Sequence, residues 1–204
     1  MHQSVFNFLD YLKGNGHLTP ELVSGKNIIE VGSHDINGSL RQDFEKMNPK
    51  EYLGVDVNEG RGVDQLIDVN ESLFDQFGGG WDGIITTEVF EHIERWWETV
   101  EDFASMLNDG GFVLLTTRSP GFPFHPFDED WWRWTAEDIQ VVFGCFVNDV
   151  SSDMVLMNDP MMSGIFCFFK LNLERFNKRI DLFREILKYR KVYNIVYGEK
   201  TSQS

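Results

Sequence analysis

The stretch that decides the fold is "NIIEVGSHDINGS", Asn27 to Ser39: a short apolar β-rich run, an acid at Glu30, a polar turn containing Gly32, and then Gly38. It is followed by "SLRQDFEKM", in which Leu40, Phe44 and Met47 recur at helical spacing. The reading is strand, loop, helix, with Gly38 opening the helix so that its N-terminal amides face a carboxylate or phosphate. A plain βα turn fits the same residues, so the rest of the chain has to decide between them.

Downstream, "EYLGVDV" (Glu51–Val57), "VDQLIDV" (Val63–Val69) and "WDGIITTEV" (Trp81–Val89) read as strands. A helix carrying Trp97, Val100, Phe103, Ala104 and Leu107 follows, closed by Asp109, Gly110 and Gly111 before the strand "FVLLTTR". Upstream, Val5, Phe6, Leu9 and Leu12 mark a leading helix that Gly14 and Gly16 end. "TAEDIQVVF" begins a helix at an N-capping Thr135, and "GIFCFFKL" is a late strand. Strands alternating with helices imply an α/β fold with a mainly parallel central sheet covered on both faces.

Asp56 ends the second strand 24 positions after Gly32, near the offset at which a βαβ unit sets an acid against ribose hydroxyls. Asp68, in "LIDVN", stands at the next strand end, where an acid can accept from an adenine amino group or act as a turn residue.

In this order the segments "NIIEVGSHDINGS", "YLGVDV", "LIDVN", "FDQFGGGWDGIITTEVFEHI" and "MLNDGGFVLLTTR" resemble the class I S-adenosylmethionine-dependent methyltransferases, over about Asn27 to Arg118. "EVFEHI" with "LNDGGFVLLTTR" is the more specific part. The aromatic stretch "FPFH…WWRW" is similar to a loop of a bacterial subgroup often encoded beside sugar and cell-surface genes, extending the resemblance to about Phe146. It implies a Rossmann-like methyltransferase fold with one antiparallel strand and the cofactor S-adenosylmethionine. Glu30, Gly32, Ser33 and Gly38 would then hold the methionine part, and Asp56 with Val57 the ribose. Asp68 with Val69 would hold the adenine, and Thr87 and Glu88 would floor the sulfonium. One departure stands out: the usual ExGxGxG is ExGSHDxNG here, with His34 in place of the middle glycine and two extra residues before Gly38.

Methyl transfer is an in-line displacement that requires alignment and, for a hydroxyl acceptor, one base. His92, after "TTEVFE", is placed at the start of the next helix, facing the cleft as base, cofactor wall or structural residue. His125, in the aromatic loop, is nearer the acceptor's entry. Asp35, Asp128, Glu129 and Asp130 come second. Arg118 and Arg133 stand out as partners for an acceptor carboxylate or phosphate, or for neighbouring acids, and Trp131 and Trp132 as walls for a sugar or ring face. The whole stretch Ser119–Trp134 reads as a lid hinged at Gly121, or as a satellite core.

The chain has 204 residues and a net charge of −15, with 42% hydrophobic residues, enough for one domain core. Residues 170–204 hold nine basic and four acidic residues, net +5, leaving −20 on the remainder. We therefore expect a methyltransferase domain over residues 1–170 and a C-terminal helical extension over 171–204. That extension spaces Leu173, Phe176, Ile180, Phe183 and Leu187 for packing on the body or in a homodimer. The acidic balance disfavours nucleic acid, no run is apolar enough to span a membrane, and two isolated cysteines suggest a reducing cytoplasm without a metal site. GxGxxG is absent, which disfavours a dinucleotide dehydrogenase. The expected activity is methylation of an oxygen or nitrogen on a small molecule or sugar-containing metabolite. The alternative is a catalytically silent cofactor-binding fold used as an interaction module.

Overall fold

The computed structural model describes residues 2–68, 71–124, 130–159 and 161–197, with side chains as far as residue 188. Seven strands form one sheet: β1 (Asn27–Val31), β2 (Glu51–Asp56), β3 (Gln65–Leu66), β4 (Trp81–Thr87), β5 (Leu107–Arg118), β6 (Met154–Asn158) and β7 (Gly164–Lys170). Their order is β3-β2-β1-β4-β5-β7-β6. Pairings from β3 through β5 are parallel, and β7 runs antiparallel to both β5 and β6. This is the Rossmann-like methyltransferase arrangement, with β7 the single reversed strand.

Alternation along the strands builds two cores. Ile28, Ile85, Phe112, Leu114, Phe166 and Phe168 face α1 (Gln3–Gly14) and α2 (Arg41–Glu45), where Phe8 stacks on Phe166 at 5.1 Å. On the other face, Ile29, Ile84, Val113, Leu115, Cys167 and Phe169 meet α3 (Leu73–Phe77), α4 (Trp96–Met106) and α5 (Ala136–Phe143). Thr135 and Asp138 close a reciprocal capping box at the start of α5. The short α6 (Val150–Asp153) leads into β6, a strand that the sequence reading passes over.

Five sequence expectations need correction. Leu107, expected in the helix, starts β5, which takes in Asp109, Gly110 and Gly111. The helix after β1 begins at Arg41 and has five residues, because Gly38 (φ 115°) stays in the loop and gives its N–H to Asp35 at 2.7 Å. The third strand shrinks to two residues, since the Asp64 side chain accepts from Gly54 N–H at 2.7 Å and from Arg41 at 2.8 Å, knotting the chain just before it. β4 stops at Thr87 because Glu88 adopts a left-handed conformation, φ 60°. His92 consequently sits in a turn, four residues before α4 starts at Trp96.

The C-terminal residues form α7 (Leu173–Lys178) and α8 (Ile180–Tyr197). Phe176, Phe183 and Leu187 are buried in the α5-side core, and Phe146 contacts the rings of Phe176 and Phe183 at 5.0 and 5.5 Å. Phe183→Ala should therefore destabilise the protein by about 3–5 kcal/mol in urea unfolding, since it deletes a buried ring from a close-packed cluster. An unchanged midpoint would mean that α8 adds nothing to the core.

Candidate active site

At the carboxyl edge of the sheet, two adjoining cavities of about 310 and 550 Å³ share Gly32, Asp56, Val89 and His92. Gly32 turns the chain at φ 80°, its N–H bonding the Val55 carbonyl at 2.9 Å, and a Cβ there would lie 2.1 Å from a Val89 methyl. Only glycine keeps the wall between the cavities this thin. The longer loop beyond it is tied to the segment after β2. Asp35 N–H donates to the Arg61 carbonyl at 2.7 Å, and its carboxylate pairs with the Arg61 guanidinium at 2.8 Å. The His34 ring occupies the space left by the absent side chain of Gly60, whose Cβ would fall 2.1 Å from Nε2.

Asp56 is the product of that knitting. One carboxylate oxygen accepts from His34 N–H at 3.1 Å and the other from Asn58 N–H at 2.9 Å, so the group is aimed while both oxygens keep acceptor capacity toward the cavities. Glu30, 2% exposed, also reaches the smaller cavity; burial pushes its carboxyl up to about 7, against the Tyr52 hydroxyl, which donates at 2.7 Å.

At the other end of the smaller cavity lies Arg118, buried yet fully charged. It pairs with Glu88, stands 3.7 Å from Asp159, and stacks over the Phe122 ring at 4.3 Å. Glu88 also accepts from the Thr116 hydroxyl at 2.7 Å, and Asp159 from the Ser4 hydroxyl at 2.8 Å. Behind them Glu91, entirely buried, accepts from Thr117 at 2.9 Å, while its other oxygen has no hydrogen-bond partner among the described residues and lies 3.9 Å from His92 Nε2. Burial, then the Glu88 charge, pushes its carboxyl well above the ordinary carboxylate range. One guanidinium faces two nearby carboxylates, which leaves the group net anionic, and burial favours the protonated form of the third.

Residues 7–151, well over half of the chain, match the methyltransferase-domain family. The chain belongs to that family. Solved structures with the same fold include the CurJ carbon methyltransferase (16% identity, TM-score 0.57, 83% of this chain and 54% of that one). Others are the magnesium protoporphyrin IX methyltransferase of Synechocystis, with S-adenosylhomocysteine bound (15%, 0.55, 83% of each chain), and a T. Thermophilus 16S rRNA methyltransferase (16%, 0.51, 84% of this chain and 44% of that one). This chain thus spans only about half of the CurJ methyltransferase chain. No curated protein matches it significantly. The methyltransferase-domain family uses S-adenosylmethionine as its cofactor.

In this methyltransferase domain, Glu30, Gly32, Ser33, Gly38, Asp56, Thr87, Glu88, His92 and Arg118 all line the smaller cavity, and Val57 lines the larger. Asp68 lines neither: Gln76 clamps its backbone N–H and carbonyl at 2.8 and 2.9 Å, and Ile67 and Glu71 border the larger cavity instead. Val69 and His125 lie outside the described residues. Trp131, Trp132 and Arg133 are absent from both linings. The backbone N–H groups of Trp131 and Trp132 bond the Glu91 carbonyl at 2.8 and 3.0 Å, and the Trp132 indole donates to the Ile93 carbonyl at 2.8 Å. Arg133 holds Asp130 through both terminal nitrogens and the Phe122 carbonyl at 3.3 Å. The backbone of Trp131 and Trp132 and the Trp132 indole tie this part of the loop to the turn after β4, Arg133 bonds within the loop itself, and Trp134 is buried against Trp96 and Phe90. Among the described residues no group of three or more His, Cys, Asp or Glu could hold a metal ion, and no helix is long and apolar enough to cross a membrane.

Sequence reading missed His2, Glu91 and Asp159. Glu91 sits inside the quoted "EVFEHI" motif and was recoverable, whereas His2 and Asp159 reach the site only through folding. A raised Glu91 value means that the folded state prefers the protonated acid. Its stabilising contribution is complete below the unfolded value near 4.5 and is lost as pH rises through the folded one. Glu91→Gln, which mimics the acid form, should therefore gain stability relative to wild type as pH is raised from 5 to 9 in chemical denaturation. Parallel curves would show Glu91 to be ionised in the fold.

Proposed function

We propose that this protein transfers a methyl group from S-adenosylmethionine to a hydroxyl or amine of a small molecule or sugar-containing metabolite. The observation that carries the reading is Asp56, held by two backbone N–H groups at the boundary between the two cavities, beside the bare Gly32 turn.

The residues present fit S-adenosylmethionine. The two cavities meet at Gly32 and Asp56, which suits a ligand with two unlike ends, and an oriented carboxylate with acceptor capacity suits vicinal ribose hydroxyls. Ile67, Val57 and Ile93 give the larger cavity an apolar side for a base ring. Glu30, Ser33 and Gly38 border the smaller one, where an amino-acid part would lie. When bound, S-adenosylmethionine supplies a methyl group on a positively charged sulfur. Thr87 and Glu88 close the floor beneath that position, and the anionic balance of Glu88, Asp159 and Arg118 favours positive charge there.

The same balance shapes the acceptor. Arg118 is shared by two carboxylates, yet its Nη1 makes no hydrogen bond among the described residues and so suits an acceptor carboxylate or phosphate, while the net anionic balance suits a neutral or cationic molecule. Phe122 borders the cleft, and an aromatic wall there fits a sugar or a flat ring. Cys145 and Cys167 are free thiols, and the proposed setting is the cytoplasm.

S-adenosylhomocysteine at millimolar concentration should raise the melting midpoint, because a ligand of the folded state stabilises it, whereas NAD should not. Asp56→Ala should weaken calorimetric binding of S-adenosylhomocysteine by about 1.5–3 kcal/mol, and an unchanged Kd would remove Asp56 from the site. A screen for labelled methyl transfer to sugars, sugar nucleotides, amines and small acids then names the acceptor. Tight cofactor binding without transfer to any of them favours the interaction-module reading.

A further inference from the structure

We propose that His2, carried by the N-terminal helix, is the group that receives the acceptor's proton. The inference rests on the methyltransferase reading above and adds a catalytic residue to it.

His2 lines the smaller cavity together with Thr87, Glu88, His92, Arg118 and Phe122. It is held there by a chain of contacts rather than by its own side chain. Its carbonyl accepts the Val5 N–H at 3.0 Å, the Ser4 hydroxyl is buried on Asp159 at 2.8 Å, and Asp159 accepts the backbone N–H groups of Met161 and Met162 at 2.8 and 3.2 Å. Phe8, one and a half turns further along, stacks on Phe166 of β7. The start of α1 is thus pinned to the acceptor end of the cleft, on the far side from Asp56.

Among the described residues, the other titratable groups at that end are committed. Glu88 is shared by Thr116 and Arg118, Asp159 by Ser4 and two backbone amides, and Glu91 is sealed from the cavity. Arg118 is permanently charged. His92 borders both cavities and backs onto Glu91, which suits a wall. His2 has burial and then the Arg118 charge acting to lower its pKa, partly opposed by Glu88 and Asp159, which favours the neutral imidazole that can accept a proton.

In the step this implies, the acceptor oxygen or nitrogen forms its bond to the methyl carbon while the carbon–sulfur bond breaks and its electron pair goes to sulfur. The acceptor's proton passes to the His2 imidazole, which later releases it to water.

The position can be read without knowing the acceptor. Imidazole proton signals of the full chain are titrated by NMR in the free protein and in its complexes with S-adenosylmethionine and S-adenosylhomocysteine, with His2→Gln and through-bond spectra each identifying the His2 signal. The two probes differ by the methyl group and one positive charge. A ring facing that methyl should titrate about one unit lower in the first complex than in the second, as expected for a unit charge several ångströms away. In the free protein it should titrate below the ordinary histidine value. Equal midpoints in the two complexes, with other signals showing both bound, would overturn the assignment and leave the methyltransferase reading standing. A free-state midpoint above the ordinary value would overturn it as well, since the ring would then be cationic at neutral pH. If neither probe moves any signal, both readings fall together.

Discussion

The interaction on which the site depends is the buried guanidinium of Arg118. It ends the longest strand of the sheet, and four separate parts of the chain converge on it: Glu88 after β4, Asp159 after β6, Phe122 from the aromatic loop, and, through Asp159, Ser4 of the first helix. Its own carbonyl receives the Trp134 N–H at 2.8 Å, which returns the aromatic loop to the core. Such a cluster is costly to desolvate, and removing only the cation would leave two carboxylates uncompensated at the protein's active edge. The strain at Glu88, a non-glycine residue held at φ 60°, is sustained by the two bonds its carboxylate makes.

From this follows the division of labour along the cleft. The end near Asp56 is built from backbone: glycine turns and amides that orient one carboxylate. The end near Arg118 is built from side-chain charges arranged so that little net positive field is left. The chain has a net charge of −15, yet at this end burial, then the Glu88 charge, pushes the third carboxyl, Glu91, toward its protonated form. The electrostatics are thus set locally, by burial and by the single guanidinium, rather than by the protein's overall charge.

Much of the fold was legible. Apolar runs of five to seven residues, punctuated by glycines and alternating with helical spacing, determine a parallel sheet wrapped on both faces, and the offset from Gly32 to Asp56 identifies one edge of the cleft. The failures are equally physical. Helix and strand ends were misplaced where a side chain replaced a backbone bond, as at Asp64, or where a left-handed residue broke the run, as at Glu88. Within the aromatic stretch the sequence carries no direction: Phe122 lines the cleft, whereas the Trp132 indole and the Arg133 guanidinium turn to carbonyls and Asp130. His2 could not be found, since nothing near it in sequence shows that the start of α1 returns to a strand end about 116 residues later.

The seat of His34 has a further consequence. Its ring fits only because position 60 has no side chain, and the turn that carries Gly60 is itself crowded, since a Cβ at Gly54 would lie 2.2 Å from the Gly62 carbonyl and one at Gly62 would lie 2.6 Å from the Ser33 carbonyl. The lengthened loop after the first strand and the glycine-rich turn after the second are therefore complementary surfaces of one mould. A bulkier residue in one would displace the other, so the two segments constrain each other's size although some twenty residues separate them in the chain.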